Sequence, residues 1–303
     1  MVADLAVPQS ETRGDVVTYT FSNGLTVRAE TGGKKDRLRI LPLTRLQGAL
    51  LNHLMNRPAL ADGKRVLEPF AGSGAFGFMS LALGARHVDL VDVNPRAEGF
   101  HRETTTANGF PPDAVRSVTE DLRTFTASAP YDLILANPPF LPTPDCVEGT
   151  LNSNGGPEGN TLADALLERL PELLAPSGEA LLILYQLAKD GVPLVARSAR
   201  EHGAGRGIEF TPLQETPIRF EEYVEAYASQ HPQLREGIAR WSDELTGAYG
   251  PDLTLSHYVL HIGPRGEGPG ALTVTANATQ KYGSSYVIAA ADPDYTPVDG
   301  RRR

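Results

Sequence analysis

From Arg65 to Gln186 the chain alternates short apolar runs with helical patterns, and this alternation restricts its fold more than any other property. Strands separated by helices cannot pair as hairpins, so they lie side by side in a parallel sheet with helices on both faces. The expected strands are Arg65–Pro69, Val88–Val93, Ala114–Thr119, Leu133–Ala136 and Ala180–Tyr185, with helices near 75–83, 95–108 and 160–175. Past a helix near 190–202 the pattern changes. Ile208–Leu213 and Leu253–Ile262 read as two more strands, the second long and β-branched enough to suit an antiparallel partner.

The flanks read differently. Residues 1–14 look like a loose terminus, followed by a hairpin of Val16–Phe21 and Leu25–Ala29 around Asn23-Gly24, a pair that supplies the positive φ angles of a tight turn. Thr44 suits the N-cap of a helix over 45–56. Phe220–Tyr249 is strongly helical, holds the only tryptophan and is too long for a simple connection, which suggests a cap or lid. Ala271–Ala276 and Tyr286–Ala290 read as closing strands. The chain thus divides into an N-terminal hairpin extension (1–40), a main domain (41–265, with a helical insertion at 218–250), and C-terminal strands and tail (266–303).

Composition narrows the function. No apolar run of the 303 residues approaches a membrane span, and Met1-Val-Ala-Asp-Leu lacks the basic start and apolar stretch of a secretory signal. The single cysteine, Cys146, excludes an internal disulfide framework and a multi-cysteine metal site. Both facts suit a cytoplasmic protein without membrane partners. A net charge of −9 disfavours broad, charge-driven binding of nucleic acid, despite the local Lys34-Lys35-Asp36-Arg37-Leu38-Arg39 cluster and the terminal Arg301–Arg303.

Chemistry-bearing residues gather where strands end. Tyr131–Ala136 opens into Asn137-Pro138-Pro139-Phe140, and the prolines, lacking N–H groups, cannot continue a ladder. The Asn137 side-chain oxygen and the Pro138 carbonyl can accept hydrogens from a planar –NH2 group, with Phe140 stacked on its face. The first strand runs into Glu68-Pro69-Phe70-Ala71-Gly72-Ser73-Gly74, a glycine turn before a helix N-terminus, where a ligand can approach the backbone. The second ends in Asp92-Val93-Asn94-Pro95; a carboxylate about 20 residues beyond a glycine turn suits ribose hydroxyls, although it also suits helix capping. Glu120-Asp121 follows the third strand, within reach of an adenine amino group. All four sites share one edge of the sheet, where open α/β sheets bind ligands.

Together, Leu67–Gly74, Val91-Asp92-Val93, Glu120-Asp121 and Asn137–Phe140 resemble the S-adenosylmethionine-dependent methyltransferases, and within them the amino-methylating branch. The resemblance covers roughly 40–190. It implies a Rossmann-like doubly wound sheet of seven mostly parallel strands with one antiparallel, and S-adenosylmethionine as cofactor. Glu68, Phe70, Ala71, Gly72 and Gly74 would then face the methionine part, Asp92 and Val93 the ribose, and Asp121 and Leu122 the adenine. Asn137, Pro138 and Phe140 would orient the accepting nitrogen, with Asn137 also against the cofactor. Phe70 stands where many relatives have glycine. Gly155-Gly156-Pro157-Glu158-Gly159 resembles the loop after the same motif in release-factor glutamine methyltransferases, whereas residues 1–40 read as hairpin and loop and not as the helical N-terminal domain of those enzymes.

Further substrate candidates are Pro139, Thr44, Arg45, Tyr223 and Trp241, the last two with Phe220, Tyr227 and Tyr249 as a lining for an aromatic pocket; packing of the helices onto their own domain is the commoner account of the aromatics, and capping and surface charge account equally well for Thr44 and Arg45. His257 and His261 fall on one face of a strand, but no third metal ligand accompanies them, so no metal is expected. The expected function is N-methylation of a planar amide or amino nitrogen. A small, specialised metabolite is the favoured acceptor, an RNA base or a protein glutamine the alternative, and a non-catalytic cofactor-binding protein the rival from another class. The oligomeric state is not legible.

Overall fold

The computed structural model describes residues 8–32, 36, 38–268 and 270–289. At the N-terminus β1 (Gln9–Arg13), β2 (Val16–Thr20) and β3 (Thr26–Glu30) form an antiparallel sheet. The hairpin is as expected, with the Asn23 side chain accepting the Leu25 N–H. Strand β1 replaces the expected loose terminus over 9–13. Its sequence, Gln-Ser-Glu-Thr-Arg, is exposed throughout, so it carries no apolar alternation to announce it. The small sheet sits against the main domain through Val17, Ala29, Ile40 and Ala97, and through Asn108, which bonds both the N–H and the carbonyl of Thr26.

The main domain continues as α1 (Arg45–Asn56), β4 (Arg65–Pro69), α2 (Ala75–Ala82), β5 (His87–Asp92), α3 (Ala97–Ala107), β6 (Val115–Thr119), β7 (Tyr131–Ala136), α4 (Thr161–Leu173) and β8 (Leu174–Lys189). There follow β9 (Val192–Pro193), α5 (Ala196–His202), β10 (Arg206–Pro212), β11 (Ile218–Arg219), α6 (Phe220–Gln230), α7 (Arg235–Tyr249), β12 (Thr254–Arg265), β13 (Leu272–Val274) and α8 (Ala278–Tyr282). The sheet order is β13-β10-β12-β8-β7-β4-β5-β6. From β10 to β6 this is the expected seven-stranded core, in which only β12 runs antiparallel. The short β9, β11 and β13 extend it.

Side-chain alternation divides the core into two layers. Val66, Leu133, Leu135 and Ile183 face α1 and α2, while Leu67, Ile134, Ala136 and Leu182 face α4 and α5. Strand order reverses at β4, which lies between β5 and β7, and the strand ends open a crevice there.

Two expectations at the C-terminal side need correction. Strand β8 overshoots the neighbouring β7, whose Ala136 pairs with Leu182, and continues to Lys189 alongside β12. Tyr286–Ala290 is not a strand over its described part. Ser284–Tyr286 is a 3-10 turn and Ile288 makes one bridge to Gln214. The carbonyls of Ser285 and Val287 are held by Arg45 at 3.0 and 2.6 Å, so they are not available to a ladder. Ala290, Lys34, Lys35, Arg37 and Arg301–Arg303 lie outside the described residues.

Candidate active site

The crevice is a cavity of about 400 Å3 whose wall includes Phe70–Ser73, Val91–Asn94, Glu120–Arg123, Asn137 and Pro139. The sequence-expected strand ends therefore do converge on one space.

The glycine turn is built from both sides. Gly72 has φ of +53°, a conformation open to glycine. Its N–H donates to Asp92 Oδ2 at 2.7 Å, and Asp92 Oδ1 accepts the Asn94 N–H at 2.8 Å. Each oxygen keeps accepting capacity toward the cavity. Phe70 has φ of +58°, a region that costs an aromatic residue roughly 1–2 kcal/mol. Gly77 sits tight under β4 and β5: a Cβ there would lie 2.5 Å from Leu90 and 2.6 Å from Val88.

Glu68 is buried beneath the turn, off the cavity wall. Its carboxylate accepts N–H bonds from Gly77 at 2.6 Å and Phe76 at 3.3 Å, at the start of α2. Burial pushes its carboxyl up to about 8; those two N–H groups pull against this, and Asp92 adds to it. A carboxyl whose folded pKa is raised stabilises most below its unfolded value and loses that contribution as pH rises through the folded one. Burial acts with the opposite sign on His53, His101 and His257, lowering them to about 4, 4 and 3. Their contribution is lost as pH falls from about 6.5 toward those values. Stability is thus expected to peak near pH 6.5 and to fall by about 1–2 kcal/mol by about pH 8. Glu68→Gln should abolish that alkaline fall. Urea unfolding across this range checks it, and a wild-type curve that keeps rising to pH 8 refutes it.

Elsewhere in the wall, Val93 is 44% exposed and offers apolar surface, and Leu122 is buried. Asp121 is held as the anion by Arg123, with Nη2–Oδ2 2.5 Å and Nε–Oδ1 3.0 Å. At the end of β7, Asn137 lines the cavity, and its side-chain oxygen is buried without a hydrogen-bond partner. An unpaired buried acceptor costs about 1–3 kcal/mol, a cost relieved by a donor from a bound molecule.

Other candidates are placed elsewhere. Thr44 lines the cavity as the N-cap of α1 in a capping box with Gln47, but Arg45 points to the C-terminal segment; Arg39 is the arginine in the cavity wall on this side. Phe140 is half-buried, edge-on to His257 at 6.1 Å, which in turn stacks on Tyr185 at 4.1 Å. His261, on the same strand as His257, pairs with Glu179 of the neighbouring β8 at 2.7 Å. Tyr223 and Trp241 do not line the cavity. They are buried, and their polar tips donate to the carbonyls of Pro142 (2.8 Å) and Pro157 (2.9 Å). Tyr249 bonds Glu158 at 2.6 Å, and Gln186 bonds the Gly159 carbonyl at 3.0 Å. The helical insertion therefore braces the loop that follows Phe140. That loop returns Leu151 and Asn152 to the cavity wall, two residues no motif announced.

These features fit S-adenosylmethionine: a glycine turn, a carboxylate with spare acceptor capacity for a diol, an apolar wall for a purine, and an acidic lining for a sulfonium. Residues 47–189 match the family model of the methyltransferase small domain. Among curated relatives, a release factor glutamine methyltransferase of Deinococcus radiodurans is 27% identical over 59% of this chain and 66% of its own. A tRNA1(Val) (adenine(37)-N6)-methyltransferase of Tolumonas auensis is 29% identical over 44% of this chain and 55% of its own. The chain thus spans between about half and two thirds of these relatives' lengths. The structure of the SAM-dependent methyltransferase from Agrobacterium tumefaciens shares the fold, with a TM-score of 0.51 and 18% identity over 84% of this chain and 72% of that one. The match to the methyltransferase small domain thus runs from α1 to β8, the part of the chain that builds the crevice, and the sheet has the fold seen in S-adenosylmethionine-dependent methyltransferases.

Proposed function

We propose that the protein is a cytoplasmic enzyme that methylates a planar nitrogen, and that the acceptor is the side-chain amide of a glutamine in a protein. The observation that carries this reading is that Asn137 lines the cavity while its buried side-chain oxygen has no hydrogen-bond partner. The bound cofactor supplies a methyl group already activated by its sulfonium. An amide nitrogen is a poor nucleophile because its lone pair is delocalised, so the protein's task is to hold and polarise it. The Asn137 oxygen and the Pro138 carbonyl accept the two amide hydrogens, which favours pyramidal nitrogen and stabilises the positive charge developing there, until one of those hydrogens leaves to solvent as a proton after transfer and the neutral N-methyl amide remains. Asp92 and the Gly72 turn hold the donor in place.

The choice of a glutamine is supported by the release factor glutamine methyltransferase among the relatives and by the net charge of −9, which repels a polyanion. A second reading, an RNA adenine, is supported by the tRNA methyltransferase relative, whose acceptor is also an amino nitrogen. The small-metabolite preference of the sequence has no counterpart in the names of these relatives. No helix of the described residues is long and apolar enough to cross a membrane.

Methyl-labelled donor offered with glutamine-bearing proteins, with tRNA and with small amides decides the matter. Label in protein, recovered as N-methylglutamine after digestion, is the expected result. Label in the RNA or small-molecule fraction alone overturns the glutamine assignment.

A further inference from the structure

His101 makes two hydrogen bonds that no part of the proposed chemistry uses. It lies on α3, 1% exposed, edge-on to Phe78. Its Nε2 is 3.0 Å from the carbonyl oxygen of Gly72, and its Nδ1 is 2.6 Å from Ser117 Oγ on β6. A carbonyl can only accept, so Nε2 carries the hydrogen. In the neutral ring Nδ1 is then the acceptor and the Ser117 hydroxyl the donor.

The peptide groups of Gly72 are thereby fixed at both ends. Asp92 takes its N–H and His101 gives a hydrogen to its C=O. Glycine is the residue with most backbone freedom to lose, and a turn left to itself samples many states besides the one at φ +53°. Ordering it before the ligand arrives lowers the cost of binding. Asp92 is visible at the site; His101 works from behind it and links the turn to β6.

We propose that His101 is a positioning residue for the cofactor turn, acting on donor affinity and not on the transfer step. The inference rests on the reading that this cavity holds S-adenosylmethionine. One lost hydrogen bond to a buried carbonyl corresponds to roughly a tenfold change in affinity.

The test is calorimetric titration of S-adenosylhomocysteine into the 303-residue chain, paired with steady-state kinetics. His101→Leu is expected to weaken binding about tenfold, with acceptor KM unchanged and kcat at saturating donor within about twofold. His101→Gln, which retains an N–H for the Gly72 carbonyl, should recover most of the affinity. Amide exchange over Gly72–Gly74 should be faster in the unliganded Leu variant than in wild type. Wild-type affinity in His101→Leu, or a Gln variant as weak as Leu, overturns the proposal. Should the Leu variant not fold, Ser117→Ala decides, because losing the hydroxyl frees the ring: binding weakened about two- to fivefold supports the role and unchanged binding overturns it. Absence of any binding by wild type would instead overturn the cofactor reading, and His101's role with it.

Discussion

Asn137→Ala is expected to lower kcat by about 10²–10³-fold while donor affinity changes by less than about threefold. The magnitude follows from removing one preorganised group aimed at developing charge, which in a water-excluded site costs about 2.7–4 kcal/mol of transition-state stabilisation. The asymmetry between kcat and affinity follows from the position of the side chain. The Gly72 turn, Asp92 and Asp121 stay intact, so the donor's contacts survive, while the accepting nitrogen loses one of its two hydrogen-bond acceptors. Asn137→Asp keeps an acceptor of the same shape and should retain more activity than Ala. Single-turnover kinetics with saturating donor, beside calorimetry with S-adenosylhomocysteine, separates the two quantities. A kcat within fivefold of wild type in Asn137→Ala would falsify the acceptor role.

How far the sequence discloses this site depends on whether a residue's task leaves a local pattern. Strand ends do. Glu68, Asp92 and Asn137 each stand at the end of an apolar run, with Gly72 in the turn after the first, and parallel topology places every such end on one edge, so the meeting of Gly72, Asp92 and Asn137 at one cavity follows from order alone. What Glu68 does at that edge is a different matter. Its type and place suit a ligand contact, yet both oxygens are engaged by the first N–H groups of α2, and only the coordinates distinguish a wall residue from a cap. Long-range partners leave no pattern at all. His101 meets Gly72 across 29 residues, Trp241 meets Pro157 across 84, and Arg45 meets Val287 across 242. For Tyr223 and Trp241 the aromatic character signalled burial, and the polar tip needed a partner once buried. That the partners were backbone carbonyls of the loop after Phe140, and not a substrate, could not be read from spacing. The insertion's helices were legible; their brace on the acceptor loop was not. Strand β1 marks the opposite limit, regular backbone pairing in a fully exposed segment with no apolar side chain to betray it.

Asp92→Ala is expected to weaken donor binding by at least about 100-fold, the largest loss of affinity from any single change at this site. Two effects combine. On the proposed reading the carboxylate accepts from the ribose hydroxyls, and hydrogen bonds to a charged group are worth about 1.5–3 kcal/mol. It also takes the N–H groups of Gly72 and Asn94, so its removal orphans two donors and releases the turn that His101 then holds by the carbonyl alone. Together these come to roughly 3–4 kcal/mol, or 150- to 1,000-fold. Asp92→Asn separates the two effects. An amide keeps one acceptor oxygen, enough for the turn or for the diol but not for both, and loses the charge, so its affinity should fall between wild type and Ala. The pair of variants also bears on the burial of Asp92, which raises its pKa. If the anion is the binding form, wild-type affinity declines as pH falls toward that raised value, whereas Asp92→Asn shows no such decline. Calorimetry of both proteins from about pH 8 down to pH 5 gives the comparison. Parallel profiles in the two would show that ribose recognition does not depend on the charge of Asp92.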